Sequence, residues 1–310
     1  MRVVLAPMEG VLDFRMRDLL TQVGSYDLCV TEFIRVVDQV LPERVFHRYC
    51  PELINADIYG SRTKAGTPVR VQLLGQYPEY MAENAAKVIE LGSSGIDLNF
   101  GCPSKTVNKS RGGSILLKDP ENLYQIIKAV KEAVPTDTIV SAKIRLGYED
   151  KTLAIENGQA VEAAGANELT VHARTKLEGY KRPAHWHWIA KIKNSINIPV
   201  IANGEIWNLE DAIKCREVSG CTDIMVGRGA LTIPNLGQVI KQESDIMPWL
   251  EVLAILSAYT EFETHGDKSK YYCNRIKQWL KYLKNHYQEA DVLFDEIRRL
   301  QTADDIRAVL

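Results

Sequence analysis

At 310 residues and 34.9 kDa the chain is too long for one small module, and its make-up, 45% hydrophobic and 25% charged, belongs to a globular protein with a real core. That balance excludes collagen-like, disordered and disulfide-scaffold classes. The net charge of −2 gives no bulk attraction to nucleic acid or to anionic membrane, so any such attraction is local.

Taken in chain order, the first segment, Met1–Glu9, meets an acidic residue too early for a signal peptide. No apolar run approaches the roughly 18 residues of a membrane span. Six scattered cysteines without a C-x-x-C pair predict neither disulfides nor a metal site, and they fit a reducing cytoplasm. Short, β-branched runs recur at Val3–Ala6, Leu28–Thr31, Val69–Leu74, Ile96–Leu98, Ile139–Ile144, Glu168–Val171, Val200–Ala202 and Ile224–Val226. Amphipathic helical stretches separate most of them: Met81–Leu91, Leu123–Ala133, Asn157–Ala164, Trp186–Ile192 and Leu209–Val218. Strands alternating with helices make a parallel sheet, and eight such units predict a (β/α)₈ TIM barrel. An open doubly wound sheet is the alternative, but no G-x-G-x-x-G follows the first strand.

Two segments break the rhythm. Arg44–Thr67 is long, polar and rich in turn residues, as lids and binding loops are. After Met247-Pro248-Trp249 no strand pattern returns, and Leu250–Glu263, Tyr271–Tyr287 and Glu289–Leu300 read as helices. The expected division is a barrel over residues 1–244 and a small helical domain over 245–310.

Barrel active sites are built at the carboxyl ends of the strands. Here those ends carry Pro7-Met8-Glu9, Glu32, Gln72 with Gln76, Asn99 to Pro103, Lys143 with Arg145, His172 to Thr175, Asn203-Gly204-Glu205 and Gly227-Arg228-Gly229. The last two sets follow strands seven and eight, where barrels commonly bind phosphate. Glycines admit an anion to backbone N–H groups, and Arg228 offers a forked contact. Lys143 is a Schiff-base nucleophile, a donor to the electron-rich edge of a flavin, or a buried lysine paired with Glu32 or Glu205. His172 shares its face, or is a satisfied core histidine. Cys102, in a Gly-Cys-Pro turn, points at the pocket; with an ordinary pKa of about 8.5 it donates a proton, whereas Arg111, Lys105 or a helix start could make it a nucleophile. The other five cysteines read as packing residues.

Between Lys268 and Gln288 lie six basic residues and no acidic one. Ile276, Leu280, Leu283 and Tyr287 recur at helical spacing and face the core. Lys277, Lys281 and Lys284 line one flank of that stripe, and Arg275, Trp279, Tyr282 and His286 the other. Basic residues interleaved with aromatics suit phosphate backbones and unstacked bases, although a plain solvated face has the same pattern.

The chain resembles the bacterial tRNA-dihydrouridine synthases, most closely their C-type branch. The resemblance rests on Ala6-Pro7-Met8-Glu9-Gly10, Thr31-Glu32-Phe33-Ile34-Arg35, Val71-Gln72-Leu73, Asp97 to Lys105, Lys143-Ile144-Arg145, His172 to Thr175, Ala202 to Glu205, Gly227-Arg228-Gly229 and the tail stretch Arg275 to Leu280. It implies an FMN-binding barrel followed by a helical tRNA-binding domain, reducing a uridine of the D-loop, position 16 in this branch, to 5,6-dihydrouridine. Pro7, Met8, Glu9, Gln72, Lys143 and His172 would hold the flavin ring, and Asn203, Gly204, Glu205, Gly227 and Arg228 its phosphate. NADPH (or NADH) would reduce the flavin, the uracil would take a hydride at C6, and Cys102 would protonate C5. Asn99 would touch the target base, while Arg35, Tyr180, Arg275, Lys277, Tyr282 and Arg298 would contact tRNA. A cytoplasmic monomer is expected, with no membrane or metal partner. Two departures stand out: Arg111-Gly112-Gly113-Ser114 replaces a run richer in Gly and Ala, and Ala173 stands where glycine is usual.

Three rivals share parts of this pattern. A small-molecule flavin oxidoreductase of dihydroorotate or enoate type would use the same strand ends but has no need of a basic tail. A barrel aldolase would use Lys143, and a tRNA-binding chaperone would keep the flavin only structurally.

Overall fold

The computed structural model describes residues 1–54, 56, 60–261 and 269–310. Strands β1 (Val3–Leu5), β2 (Leu28–Arg35), β3 (Val69–Leu74), β4 (Ile96–Asn99), β5 (Val140–Arg145), β6 (Glu168–His172), β7 (Val200–Asn203) and β8 (Asp223–Val226) pair in parallel with their chain neighbours, and β8 closes on β1. Around them lie α1 (Phe14–Gly24), α2 (Glu43–Tyr49), α3 (Pro78–Glu90), α4 (Lys105–Lys109), α5 (Pro120–Ala133), α6 (Ala154–Ala163), α7 (Trp186–Lys193), α8 (Leu209–Ser219), α9 (Arg228–Thr232) and α10 (Leu236–Lys241). The expected TIM barrel is the observed one. Local chemistry fixes the helix starts: Asp13, Asp119 and Asn208 accept from the amides of Met16, Asn122 and Asp211, and Pro78 and Pro120 open α3 and α5.

The barrel interior is divided. Val4, Leu28, Val30, Ile201 and Met225 of β1, β2, β7 and β8, with Ala6 just after β1, form an apolar plug. The inward positions of β3 to β6 are polar instead: Arg70 and Gln72, Asp97 and Asn99, Ser141, Lys143 and Arg145, then Glu168 and His172, all but Lys143 less than a tenth exposed. Their registers place Gln72 beside Asp97, Asn99 beside Lys143, and Arg145 beside His172. Burying so many polar groups costs free energy unless each is paired. At the amino end of the barrel Glu168 is shared by Arg70 and Arg2, and Arg2 also meets Asp223.

Two expectations about segments change. β2 runs on to Arg35 rather than ending at Thr31, after a register shift between Val30 and Phe33 that carries Glu32 within the strand. The described residues of Arg44–Thr67 pack into the core rather than forming a lid. Phe46, Cys50 and Leu53 are buried in the core and Glu52 pairs with the buried Arg17, because the segment packs beside α1. Asn55 and Asp57 to Tyr59 of that segment lie outside the described residues.

The tail forms α11 (Trp249–Glu261), α12 (Ser269–Leu283), α13 (Gln288–Ile297) and α14 (Ala303–Arg307). The expected end of a helix at Glu263, Lys268, and the side chain of Lys270 lie outside the described residues. Ile276, Leu280, Leu283 and Tyr287 are buried as the spacing predicts. Trp279 is a correction: it is not on a basic flank but 1% exposed, its Nε1 donating to the Leu231 carbonyl at 3.1 Å, because α12 packs on α9 of the barrel. Tail and barrel residues belong to one continuous hydrophobic core. Among the described residues no helix is long and apolar enough to cross a membrane.

Candidate active site

A cavity of about 560 Å³ opens at the carboxyl ends of the strands, a size suited to a cofactor-sized ligand. Pro7, Met8 and Glu9 line it after β1, Gln72 from β3, and Asn99 and Cys102 at and beyond the end of β4. Lys143 and His172 enter from β5 and β6, Asn203, Gly204 and Glu205 from the end of β7, and Gly227 and Arg228 from the end of β8. The structure therefore brings together every residue expected to hold the cofactor, with the expected acid.

The cations at its centre are strained by burial. Desolvation, with Arg145 next to it, lowers the Lys143 ammonium to about 8, against the pull of Asp97 and Cys102. Lys143 Nζ donates to Asn203 Oδ1 at 3.2 Å, so neither Glu32 nor Glu205 is its partner. Burial and then the positive charges of Arg145, Lys143, Arg174 and Arg228 hold His172 well below its usual range. It is a neutral imidazole. With Nδ1 3.3 Å from Arg145 Nη1, which can only donate, the ring proton sits on Nε2.

Cys102 lies at the head of a chain of amides. Asn99 Oδ1 accepts from the amides of Gly101 and Cys102, both at 2.9 Å, and Asn99 Nδ2 donates to Gln72 Oε1 at 2.7 Å. Gln72 Nε2 then donates to Asp97, whose other oxygen accepts from Ser141. A carboxylate at one end and two backbone N–H groups at the other fix the sense of both amides. Burial pushes the Cys102 thiol up; the Ser104 amide opposes this, Glu9 adds to it, and Arg145 and Lys143 oppose it. Burial wins, so Cys102 is a protonated thiol at neutral pH and not a thiolate nucleophile.

At the other end of the cavity the backbone comes close to whatever lies there. Gly204 has φ +111°, and a Cβ on it would meet the His172 ring at 3.3 Å; one on Gly227 would meet Met8 Sδ at 3.3 Å. The Arg228 guanidinium is held between the rings of Tyr180 and Trp207, 4.6 and 4.8 Å from their centroids. Burial works against the Glu205 charge, but donors from Arg174, Trp207 and Arg182 hold its carboxyl below the usual range. Only the backbone of Glu205 is therefore suited to an anion.

Most of the residues expected to meet tRNA fall in two places, with Asn99 deeper in the cavity and Arg35 in neither hollow. Tyr180 and Tyr282 line the mouth of the cavity, so a tail helix contributes to its wall. Arg275, Lys277 and Arg298 share a second hollow of about 450 Å³ on the tail, with Gln278, Lys281 and Phe294. Arg275 is committed to the barrel through the Gly10 carbonyl and the Asp13 carboxylate, and Lys277 Nζ donates to the Leu300 carbonyl. Arg298 is exposed beside Asp295, and Arg35 donates to Ser110 Oγ. Arg145 was placed at a strand end by the sequence but given no role, yet it lines the cavity and donates to the carbonyls of Gly101, Thr175 and Gly179. Its place beside Lys143 at a strand end was the available signal; its partners come from two distant loops.

The site fits a flavin mononucleotide: a lysine and a neutral histidine at a polar wall, amide N–H donors in Gln72 and Asn203, and a glycine-lined end beside a cation for phosphate. The dihydrouridine synthase family model matches residues 4–308. The tRNA-dihydrouridine(16) synthase of Escherichia coli K12 is 58% identical over 308 residues, covering 99% of this chain and 96% of that protein. The protein of the same name from Shewanella oneidensis is 55% identical over 310 residues (100% and 97%), and that from Haemophilus influenzae 54% over 308 (99% and 98%). Among solved structures, an old yellow enzyme homologue from Zymomonas mobilis superposes with a TM-score of 0.55 at 11% identity over 79% of this chain and 90% of that one. A 2-naphthoyl-CoA reductase complex does so with a TM-score of 0.59 at 14% identity over 78% and 50%. These two share the barrel fold. With the family model and full-length relatives in agreement, the chain belongs to the dihydrouridine synthase family.

Proposed function

We propose that this protein reduces uridine 16 in the D-loop of tRNA to 5,6-dihydrouridine, with FMN as bound cofactor and NADPH as reductant. The observation that carries the reading is a buried, protonated Cys102 in the same cavity as a flavin-sized cradle of Lys143, His172, Gly204, Gly227 and Arg228. The position follows the name of the full-length relatives. Residues 1–244 form the catalytic unit in this reading, and 245–310 the unit that docks tRNA through the second hollow and Arg298. The protein acts in the cytoplasm as a monomer.

When bound, the flavin supplies the hydride that reduces uracil C6. Lys143, Gln72 and His172 hold its ring, and Arg228 with the Gly204 and Gly227 backbone holds its phosphate. The base leaves its stack to enter the cavity, at a cost of roughly a few kcal/mol that is smaller in a loop than in a duplex. Asn99 fixes the amides of Gly101 and Cys102 and so the turn that carries the thiol. Cys102 then gives its proton to uracil C5: the S–H bond breaks, a C5–H bond forms, and the thiolate is reprotonated from solvent. A neutral thiol serves here because it still holds its proton at the working pH, and general acids of this kind contribute about 10²–10⁴-fold.

Cys102→Ala tests the assignment. The variant should bind flavin and oxidise NADPH as the parent does, while dihydrouridine formation falls at least about 10²-fold. Unchanged product formation would remove Cys102 as the acid. Parallel oxidation of NADPH and NADH tests the choice of reductant; equal second-order rates for the two would overturn it.

A further inference from the structure

The thiol's backbone is gripped from outside the cavity. The Cys102 carbonyl accepts three donors: Asn108 Nδ2 at 2.9 Å, Ser114 Oγ at 2.7 Å and the Ser114 amide at 3.1 Å. Asn108 Nδ2 also donates to the Ser104 carbonyl at 2.7 Å, so one side chain spans the Cys102-Pro103-Ser104 turn. Asn108 Oδ1, 3.1 Å from Ser114 Oγ, competes for the one hydroxyl proton that the Cys102 carbonyl takes at the shorter distance. Both are buried, Asn108 at 8% exposed and Ser114 at 0%. Gly113 packs against Cys102 beside them. Its φ is +68°, and a Cβ there would sit 2.9 Å from the Cys102 carbonyl oxygen and 3.0 Å from its Cβ.

Neither Asn108 nor Ser114 lines the cavity, so neither can touch cofactor or base. Their effect reaches the reaction only through the peptide planes around Cys102. A cysteine side chain has one rotatable bond ahead of its sulfur, so those planes and χ1 set where Sγ stands. Asn99 fixes the plane before Cys102 and this pair fixes the plane after it. Ser114 supplies the hydroxyl that closes the clamp.

We propose that Asn108 and Ser114 are positioning residues for the Cys102 proton donor. The inference rests on the reading of Cys102 as the acid, so Cys102→Ala is measured alongside. Asn108→Ala and Ser114→Ala are each compared with the parent in three assays: flavin reduction by NADPH, steady-state dihydrouridine formation on tRNA, and alkylation of Cys102 by iodoacetamide followed by peptide mass spectrometry. The expected result leaves flavin content, flavin reduction and KM for tRNA within about twofold. The kcat falls on the order of 10–10²-fold, the scale of a misplaced reacting group. Alkylation of Cys102 rises above the parental rate as the turn opens. Should Asn108→Ala fail to fold, Ser114→Ala, which removes one hydroxyl and keeps the Ser114 amide bond, carries the test. A parental kcat in the folded variants, with or without faster alkylation, overturns the proposal while Cys102→Ala remains inactive. A fully active Cys102→Ala instead overturns the reading on which it rests.

Discussion

Burial acts on the two proton-bearing groups at the centre of the cavity in opposite senses. It holds the proton on the Cys102 thiol and loosens it from the Lys143 ammonium, which is brought down to about 8. The sign is that of desolvation, which penalises whichever form is charged. Raising the pH through about 8 therefore removes the Lys143 charge while Cys102 is still protonated. The flavin-free protein should bind FMN more weakly by roughly tenfold between pH 7 and 9, the scale of one charge-assisted hydrogen bond. Fluorescence titration measures this, and Lys143→Met should bind weakly with no such slope; a parental affinity that is flat over this range would contradict the role given to Lys143. At this scale much of the site was legible. Lys143, His172 and Asn203 stand out as polar residues ending apolar runs at strand ends, and Cys102 sits in a turn that exposes it. The amide chain through Asp97 and Ser141 was not legible, because its hydrogen bonds join β3, β4 and β5 across the barrel and each residue alone reads as an ordinary break in a strand.

At the scale of elements, the strands announce themselves because fully buried parallel strands are continuous β-branched runs. The helix α1 was missed, since the buried Arg17 interrupts its apolar stripe and its partner Glu52 lies in a segment that reads as loop. Trp279 was misplaced for a related reason: a basic helix with aromatics looks the same whether the rings meet RNA or the barrel. Trp279→Ala should destabilise the protein by about 3–5 kcal/mol, as loss of a buried indole does, and lower the thermal unfolding midpoint. A midpoint unchanged from the parent would mean that α12 is not anchored there. Arg275 and Arg298, both expected at RNA, separate physically. Arg275 ties α12 to Gly10 and Asp13, so Arg275→Met should lower stability. Arg298 is exposed, so Arg298→Ala should leave stability alone, weaken tRNA binding and reduce the slope of log affinity against log salt by about one. Equal loss of stability in both variants would contradict this division.

For the whole molecule, a net charge of −2 hides a local arrangement: a cavity with Lys143, Arg145 and Arg228 at the barrel mouth, and a basic hollow on the tail. The two are joined by one core, and Tyr282 of α12 reaches the cavity itself. A polyanion crossing from hollow to mouth could thus present one base to the strand ends. Composition showed none of this, because net charge averages over faces that the fold separates. The family assignment and the relatives' full-length coverage place the reaction on tRNA, and the proposed position within it is the most exposed claim. The direct measurement is on tRNA from cells lacking this protein, with dihydrouridine mapped by position before and after incubation with the purified protein and NADPH. Dihydrouridine should appear at position 16 of the D-loop and at no other site. Its appearance elsewhere, or no gain at all while NADPH is consumed, would contradict the proposed function.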